Sequence, residues 1–378
     1  MIRPLYIGLI SGTSRDGVDT VLVAMEQETP RLLGARCTPY PAALRGDLDR
    51  FLEQVLEAGR RPRPEESRAL DRSLGEFFAH CCRMLLDETG HRSDEIRAIG
   101  SHGQTVWHEP AGPDPVSLQL GDAEVLTRKT GIDVVFDFRS ADLGAGGQGA
   151  PLAPLLHRAL FDPLAPCAVL NLGGIANLTV LGPEGRVTGF DTGPANCLMD
   201  AWCRRHRDLP YDADGAWAAS GEVLPRLLQR LADDAFFAAP PPKSTGLEHF
   251  NLTWLDARLD GTEAPHDVQR TLLELTVRTV SEALEWSLHD AVAPVLVCGG
   301  GVHNTVLMER IAERLSGHDV RSTAARGIEP DWVEAILFAW LAHQRLENRP
   351  LPTPAITGAR RPVTLGRLCG RPGEAASA

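Results

Sequence analysis

From Tyr6 to Ile10 the chain is apolar; it then breaks into the polar stretch "SGTSRDG", and strand-like apolar runs resume at Val18–Met25 and Arg31–Thr38. This pattern predicts strand, polar turn, strand, turn, strand. The same plan returns from Cys167 in "CAVLNLGGIANLTVLGPEGRVTGFDTGPAN". There an apolar run leads into the turn Gly173-Gly174-Ile175-Ala176-Asn177, a second run spans Leu178–Leu181, the turn Gly182–Gly185 follows, and a third run ends at Asp191. Two antiparallel meanders about 160 residues apart, each led by a glycine-rich tip, predict a duplicated domain.

Helical spacing of apolar positions predicts helices at Leu44–Leu56, Glu65–Leu86, Ala123–Thr130, Leu152–Leu160, Asn196–Arg207, Val223–Ala232, Val268–Leu288, Asn304–Leu315 and Trp332–Arg345. Short buried strands are predicted at Ala98–Ser101, Asp133–Phe138 and Pro294–Val297. Strands followed by helices after an opening meander point to an α/β layer fold with a partly parallel sheet in each half. "RRPRPEES" and "AAPPPKSTG" read as proline-rich loops, and "GRPGEAASA" as a frayed tail.

Composition narrows the function classes. A chain of 378 residues exceeds the size of one ordinary core, so two domains are expected. The net charge of −12 argues against a nucleic-acid or acidic-lipid partner, because counterion release needs clustered Lys and Arg. The eight cysteines have no CxxC or metal-ligand spacing and are expected to be buried thiols. Polar residues interrupt the N-terminal apolar run before a signal-peptide core or a membrane span forms, so a reducing cytoplasm is expected. Only Lys129 and Lys243 are lysines among 38 basic residues, which marks Lys243, in its proline-rich loop, as a residue worth placing.

The glycine-rich turns carry the candidate chemistry. Gly12 and Gly17 can take positive φ, while Thr13, Ser14 and Asp16 offer two hydroxyls and a carboxylate. Such a turn can hold a phosphate, and Asp16-Gly17 is equally a plain hairpin dipeptide. "CGGGVHN", ending at Asn304, sits between a strand and a helix, where glycines either let a flat base lie against backbone or serve a tight turn. "GAGGQG", Gly144 to Gly149, satisfies GxGxxG in form, but "RSADL" separates it from the preceding strand and no clean βαβ unit follows, which disfavours a dinucleotide fold.

Nine segments in order, "GLISGTSRDGVD", "GSHGQTVWHEP", "LQLGD", "DFRSADLGAGGQGAPLAP", "NLGGIANLTVL", "GFDTGPANCLMDAW", "PPKSTGLEHFNLTWL", "LVCGGGVHN" and "PDWVEAILFAWLA", make the chain resemble the 1,6-anhydro-N-acetylmuramic acid kinases from Gly8 to about Gly366. The resemblance implies two RNase H-like α/β domains of the actin, Hsp70 and sugar-kinase superfamily with an ATP cleft between them. On this basis residues 1–165, completed by 340–368, form the first domain, and 166–339 the second. It further implies an ATP- and Mg²⁺-dependent kinase, acting as a homodimer on a small amino sugar. Water opens the 1,6-anhydro ring, and O6 is phosphorylated to give N-acetylmuramic acid 6-phosphate in peptidoglycan recycling.

The same resemblance implies roles for single residues. Asp191 in "FDTGP" is the base that activates water. Gly12, Thr13, Ser14, Asp16, Gly17 and Asp19 form the first phosphate loop, with Asp16 near Mg²⁺; Gly173, Gly174 and Asn177 form the second. Gly299, Gly300, Gly301 and Asn304 hold adenosine. His102, Gln104, Thr105, Arg139 and Glu334 bind the sugar, and a planar guanidinium at Arg139 suits its lactyl carboxylate. Asp331 is expected to cap the helix that carries Glu334. Two positions depart from the family pattern: Arg15 replaces an apolar residue, and Ala195 replaces glycine, which matters only if that position needs positive φ. The rival readings are a plain sugar kinase without water attack, and a nucleotide-dependent sensor without turnover; the retained Asp191, Asp16 and both loops count against the second.

Overall fold

The computed structural model describes residues 3–12, 15, 17–289 and 291–371. Thr13, Ser14, Asp16 and most of the C-terminal "GRPGEAASA" lie outside the described residues. The chain divides into two compact units, one holding the residues up to Ala159 and those from Glu334 onward, the other Leu160–Val333. Both divisions fall slightly before the borders expected from the sequence.

In chain order the strands are β1 (Leu5–Ser11), β2 (Gly17–Glu26), β3 (Thr29–Pro39), β4 (Ile96–Glu109), β5 (Val116–Leu120), β6 (Val134–Phe136), β7 (Cys167–Leu172), β8 (Ile175–Leu181), β9 (Val187–Pro194), β10 (Val295–Cys298), β11 (Val320–Ser322) and β12 (Arg367–Cys369). The first sheet runs β12-β6-β4-β1-β2-β3, with β5 also paired to β4; the second runs β11-β10-β7-β8-β9. In each unit a meander pairs antiparallel, and the next strands add parallel to its first member. That is the RNase H-like order, present twice.

Alternation along β1 explains how its helices are placed. Ile7 and Leu9 join the apolar core with Leu48, Phe51, Leu74, Phe78 and Leu85 of the helices Ala42–Ala58 and Pro64–Thr89. Gly8 points the other way, and a Cβ there would lie 1.9 Å from the carbonyl oxygen of Ala335; at Gly100 on β4 a Cβ would lie 1.9 Å from that of Phe338. The two glycines therefore let the helix Val333–Leu346 lie directly on the sheet, which fixes the side chains of its first two turns. In the second unit, Leu170, Leu172, Leu178 and Phe190 share a core with Leu272, Leu275 and Val280 of the helix Pro265–Leu288 and with Met199 and Trp202 of the helix Asn196–Arg207.

β5, β11 and β12 were not predicted. Each is short, and β12 lies antiparallel on β6 although the sequence near it reads as the start of a tail. All eight cysteines are free, five of them buried, whereas Cys37 is exposed. Among the described residues no helix is long and apolar enough to cross a membrane.

Candidate functional site

In the first unit the parallel pairing of β1 with β4 sets Ser11 opposite Gln104, and the Ser11 hydroxyl donates to Gln104 Oε1 at 2.5 Å while accepting from Tyr40 OH at 2.8 Å. Gln104 Nε2 turns back to the Thr105 carbonyl at 3.2 Å, and the Thr105 hydroxyl accepts from Gln119 at 3.4 Å. Two residues earlier, His102 is buried against Phe338, ring centroids 4.5 Å apart. Arg139 donates to His102 Nε2 from Nη2 at 2.8 Å and from Nε at 3.3 Å, and to the Gly149 carbonyl from Nη1 at 2.7 Å. Burial, reinforced by the Arg139 charge, holds the His102 imidazole well below its usual pKa. The neutral ring therefore accepts at Nε2, and its Nδ1 proton goes to the Gly103 carbonyl at 3.1 Å. Glu334 is exposed in the first turn of the helix Val333–Leu346, one turn before Phe338 and on the same face, so it shares the side on which His102 packs.

The "GAGGQG" loop is built around a carboxylate. Fully buried Asp142 accepts the Gly149 N–H at 2.8 Å and the Thr357 hydroxyl at 2.7 Å, and a Cβ on Gly147 would lie 2.2 Å from Asp142 Oδ2. These glycines wrap Asp142, and the loop in turn holds the Arg139 guanidinium. The sequence motifs contained Asp142 and Phe338, but nothing in their spacing marked them as supports.

In the second unit β7, β8 and β9 place Asn171, Asn177 and Asp191 directly opposite one another, with Cys298 of β10 beyond Asn171. Opposite residues project from one face, so a polar row crosses the sheet. The Asp191 side chain is buried; its Oδ2 accepts the Thr245 N–H at 2.9 Å, and its main-chain N–H donates to the Lys243 carbonyl at 3.1 Å. Gly173 and Gly174, at the β7–β8 turn, accept from the main chain of Ala195, Asn196 and Cys197, which ties the turn to the start of the helix Asn196–Arg207. Ala195 has φ −114° and lies in the core, so its methyl group is accommodated.

Among the glycines after β10, Gly299 has φ +82° and a Cβ there would meet Asn171 Oδ1 at 2.4 Å; a Cβ at Gly301 would meet the Leu172 Cβ at 2.5 Å. Tight packing accounts for both. Gly300 is exposed, and its Cβ direction is open. A nucleotide suits this face on two observations: that opening, and the buried Asn177 Oδ1, which has no hydrogen-bond partner, on an amide that can present either end to a ligand. Among the described residues no group of three or more His, Cys, Asp or Glu is placed to hold a metal ion.

The family model for anhydro-N-acetylmuramic acid kinase matches residues 4–370. The chain belongs to that family. It is 45% identical over 370 residues to the anhydro-N-acetylmuramic acid kinase of Vibrio cholerae, covering 96% of this chain and 98% of that protein. It is 49% identical to the one from Chromohalobacter salexigens, covering 97% and 99%, and 48% identical to the one from Bordetella pertussis, covering 96% and 95%.

Within this anhydro-N-acetylmuramic acid kinase family chain, several expected positions take a different or additional partner. Asp331 does not cap its helix; its carboxylate accepts from His303 Nε2 at 2.9 Å. Arg15 pairs with Asp49 at 2.8 Å, which ties the first turn to the helix Ala42–Ala58. Asn304 caps the helix Thr305–Arg314, its Oδ1 accepting from Leu307 N–H at 3.0 Å, so part of its hydrogen-bonding capacity goes to its own helix. In the first turn, Gly12 accepts from Arg15 N–H, a Cβ on Gly17 would meet the Thr38 carbonyl oxygen at 2.7 Å, and Asp19 is half-buried on β2. Thr13, Ser14 and Asp16 lie outside the described residues.

Proposed function

We propose that this chain opens the 1,6-anhydro ring of 1,6-anhydro-N-acetylmuramic acid with water and phosphorylates the liberated O6 with ATP, yielding N-acetylmuramic acid 6-phosphate and ADP. The observation that carries the reading is the buried Asp191 carboxylate at the end of β9, oriented by the Thr245 N–H and opposite Asn177. Membership in the family supports the substrate.

Asp191 accepts a proton from the water whose oxygen bonds to C1, the C1–O6 bond breaks, and O6 becomes the phosphoryl acceptor. A positioned base of this kind contributes about 10²- to 10⁴-fold. When bound, ATP supplies the phosphoryl group and Mg²⁺ neutralises its charge. Gly173, Gly174 and Asn177 form one phosphate-binding turn, Gly12, Thr13, Ser14, Gly17 and Asp19 belong to the other, Asp16 would serve Mg²⁺, and the Gly300 surface takes the base. Arg139, held on His102 and Gly149, presents its guanidinium to the lactyl carboxylate, and Glu334 accepts from sugar hydroxyls or the amide N–H. The functional protein is a cytoplasmic homodimer in this reading.

Incubation with the anhydro sugar, ATP and Mg²⁺ in ¹⁸O-water, read by mass spectrometry, tests the chemistry. One label in the 6-phosphorylated product, lost together with turnover in Asp191→Asn, is expected. An unlabelled phosphorylated product, or full turnover by the variant, overturns it.

A further inference from the structure

Lys243 is one of only two lysines in a chain that otherwise uses arginine, and its side chain is spoken for. Its Nζ donates to the carbonyls of Phe236 and Phe237, both at 3.1 Å, and lies 4.6 Å from the centre of the Phe236 ring. Those carbonyls belong to the short helix Ala235–Ala238, so the ammonium closes the C-terminal end of that helix. With two N–H groups committed and a ring against it, this lysine is not built to follow a phosphate.

Its main chain does something else. The Lys243 carbonyl accepts the Asp191 N–H, and two residues on, the Thr245 N–H donates to Asp191 Oδ2. The segment from Lys243 to Thr245 thus grips Asp191 at backbone and side chain together, and the Lys243 side chain pins the segment. We propose that Lys243 is the positioning residue for Asp191: it staples the gripping segment to Phe236 and Phe237, and keeps a cation near the carboxylate that the segment holds. This rests on the reading of Asp191 as the base.

Burial pulls the Lys243 ammonium below its usual pKa, and the Asp191 charge pushes it back up, so each group favours the charged form of the other. Among the described residues, the charged groups around the staple include Asp191 on β9, Glu248 farther along the Lys243 loop, and Asp234, His249 and Arg258 behind the Phe236 turn. Asp234 Oδ1 accepts the Phe236 N–H at 3.0 Å, while its Oδ2 takes Trp254 Nε1 at 2.8 Å, His249 Nε2 at 3.1 Å and Arg258 Nη2 at 3.1 Å. Those contacts set the position of the turn on which the ammonium rests.

Two variants separate the halves of the proposal. Lys243→Gln keeps N–H donors for the two carbonyls and removes the charge; Lys243→Met removes both. The readout is kcat/KM for the anhydro sugar against pH, with thermal melting alongside. The expected result is an acid limb moved upward by roughly one pH unit in both folded variants, because loss of a nearby cation raises a carboxylate pKa. In Lys243→Met kcat also falls by about 10²-fold, as misplacement of a reacting group produces. In Lys243→Arg, which keeps a cation, the limb stays in place. An acid limb unmoved in Lys243→Gln overturns the proposal even if kcat drops, and because that variant retains the staple donors, misfolding of Lys243→Met does not leave the matter undecided. Full turnover by Asp191→Asn would instead overturn the underlying assignment of the base, a result separable from either.

Discussion

Arg139 donates twice to a single atom, Nε2 of His102, at 2.8 and 3.3 Å. A buried imidazole that accepts from a guanidinium is a fixed acceptor, not a proton shuttle, and it orients the fork proposed to meet the sugar. Replacing His102 with Leu removes two of the contacts that aim the guanidinium. A hydrogen bond to a charged group is worth about 1.5–3 kcal/mol, so KM for the anhydro sugar should rise roughly 10- to 100-fold with little change in KM for ATP. Steady-state kinetics with each substrate varied in turn checks this; equal effects on both would refute it.

Asp142 supports the same fork from beneath. Asp142→Ala would orphan the buried Gly149 N–H, leave the Thr357 hydroxyl only the Thr353 carbonyl at 3.1 Å, and loosen the carbonyl that holds Arg139 Nη1. With about 1–3 kcal/mol for the unsatisfied N–H and about 1 kcal/mol for the lost Thr357 hydrogen bond, a loss of about 2–4 kcal/mol in unfolding free energy is expected. Urea titration measures it, and a loss below about 1 kcal/mol would show that the loop does not depend on this carboxylate.

Among the histidines of the first unit that burial lowers, His102, His108 and His157 serve to link folding to pH. Burial lowers His157 to about 3 and, with help from Arg139, His108 to about 4, and it holds His102 well below its usual value. In the unfolded chain these rings titrate near 6.5. Between that pH and the folded values the unfolded state binds more protons, so stability is full above about pH 6.5 and falls on acidification, each ring contributing up to about 1.4 kcal/mol per pH unit. Urea unfolding at several pH values from 7.5 to 4.5 should show the decline, and His157→Leu should flatten it. An unchanged slope in that variant would mean that carboxylates alone set the acid limit.

Much of this was legible in the chain because the meanders are local. Period-two runs broken by glycine turns predicted β1–β3 within a residue or two and β7–β9 within three, residues 175–177 and 192–194 being strand where a turn was expected, and helices such as Ala123–Thr130 and Asn196–Arg207 to the residue. Long-range pairings were not legible: β12 completes the first sheet from the far end of the chain, and no local pattern announces that. The site divides the same way. Asp191 and the glycine tips stand out as motif residues, whereas the roles of Asp142, Phe338 and the Lys243–Thr245 segment follow from contacts made by folding. His303 took Asp331 from its expected cap for the same reason.

The glycines after β10 offer the last test, since packing and ligand binding assign them different sensitivities. Gly299→Ala would drive a Cβ to 2.4 Å from Asn171 Oδ1 and 2.9 Å from the Leu172 backbone, at φ +82° where an L side chain is strained. Backbone cannot yield as a flexible side chain would, so about 2–3 kcal/mol of stability should be lost and nucleotide affinity with it. Gly300→Ala meets nothing within 4 Å, so its melting temperature should match the parent. If the base of ATP lies on this exposed backbone, the added methyl stands in its place and ADP affinity, read by calorimetry, should fall roughly ten-fold without any loss of fold. Unchanged ADP affinity in folded Gly300→Ala would move the base off this turn and leave its glycines explained by the strand-to-helix connection alone.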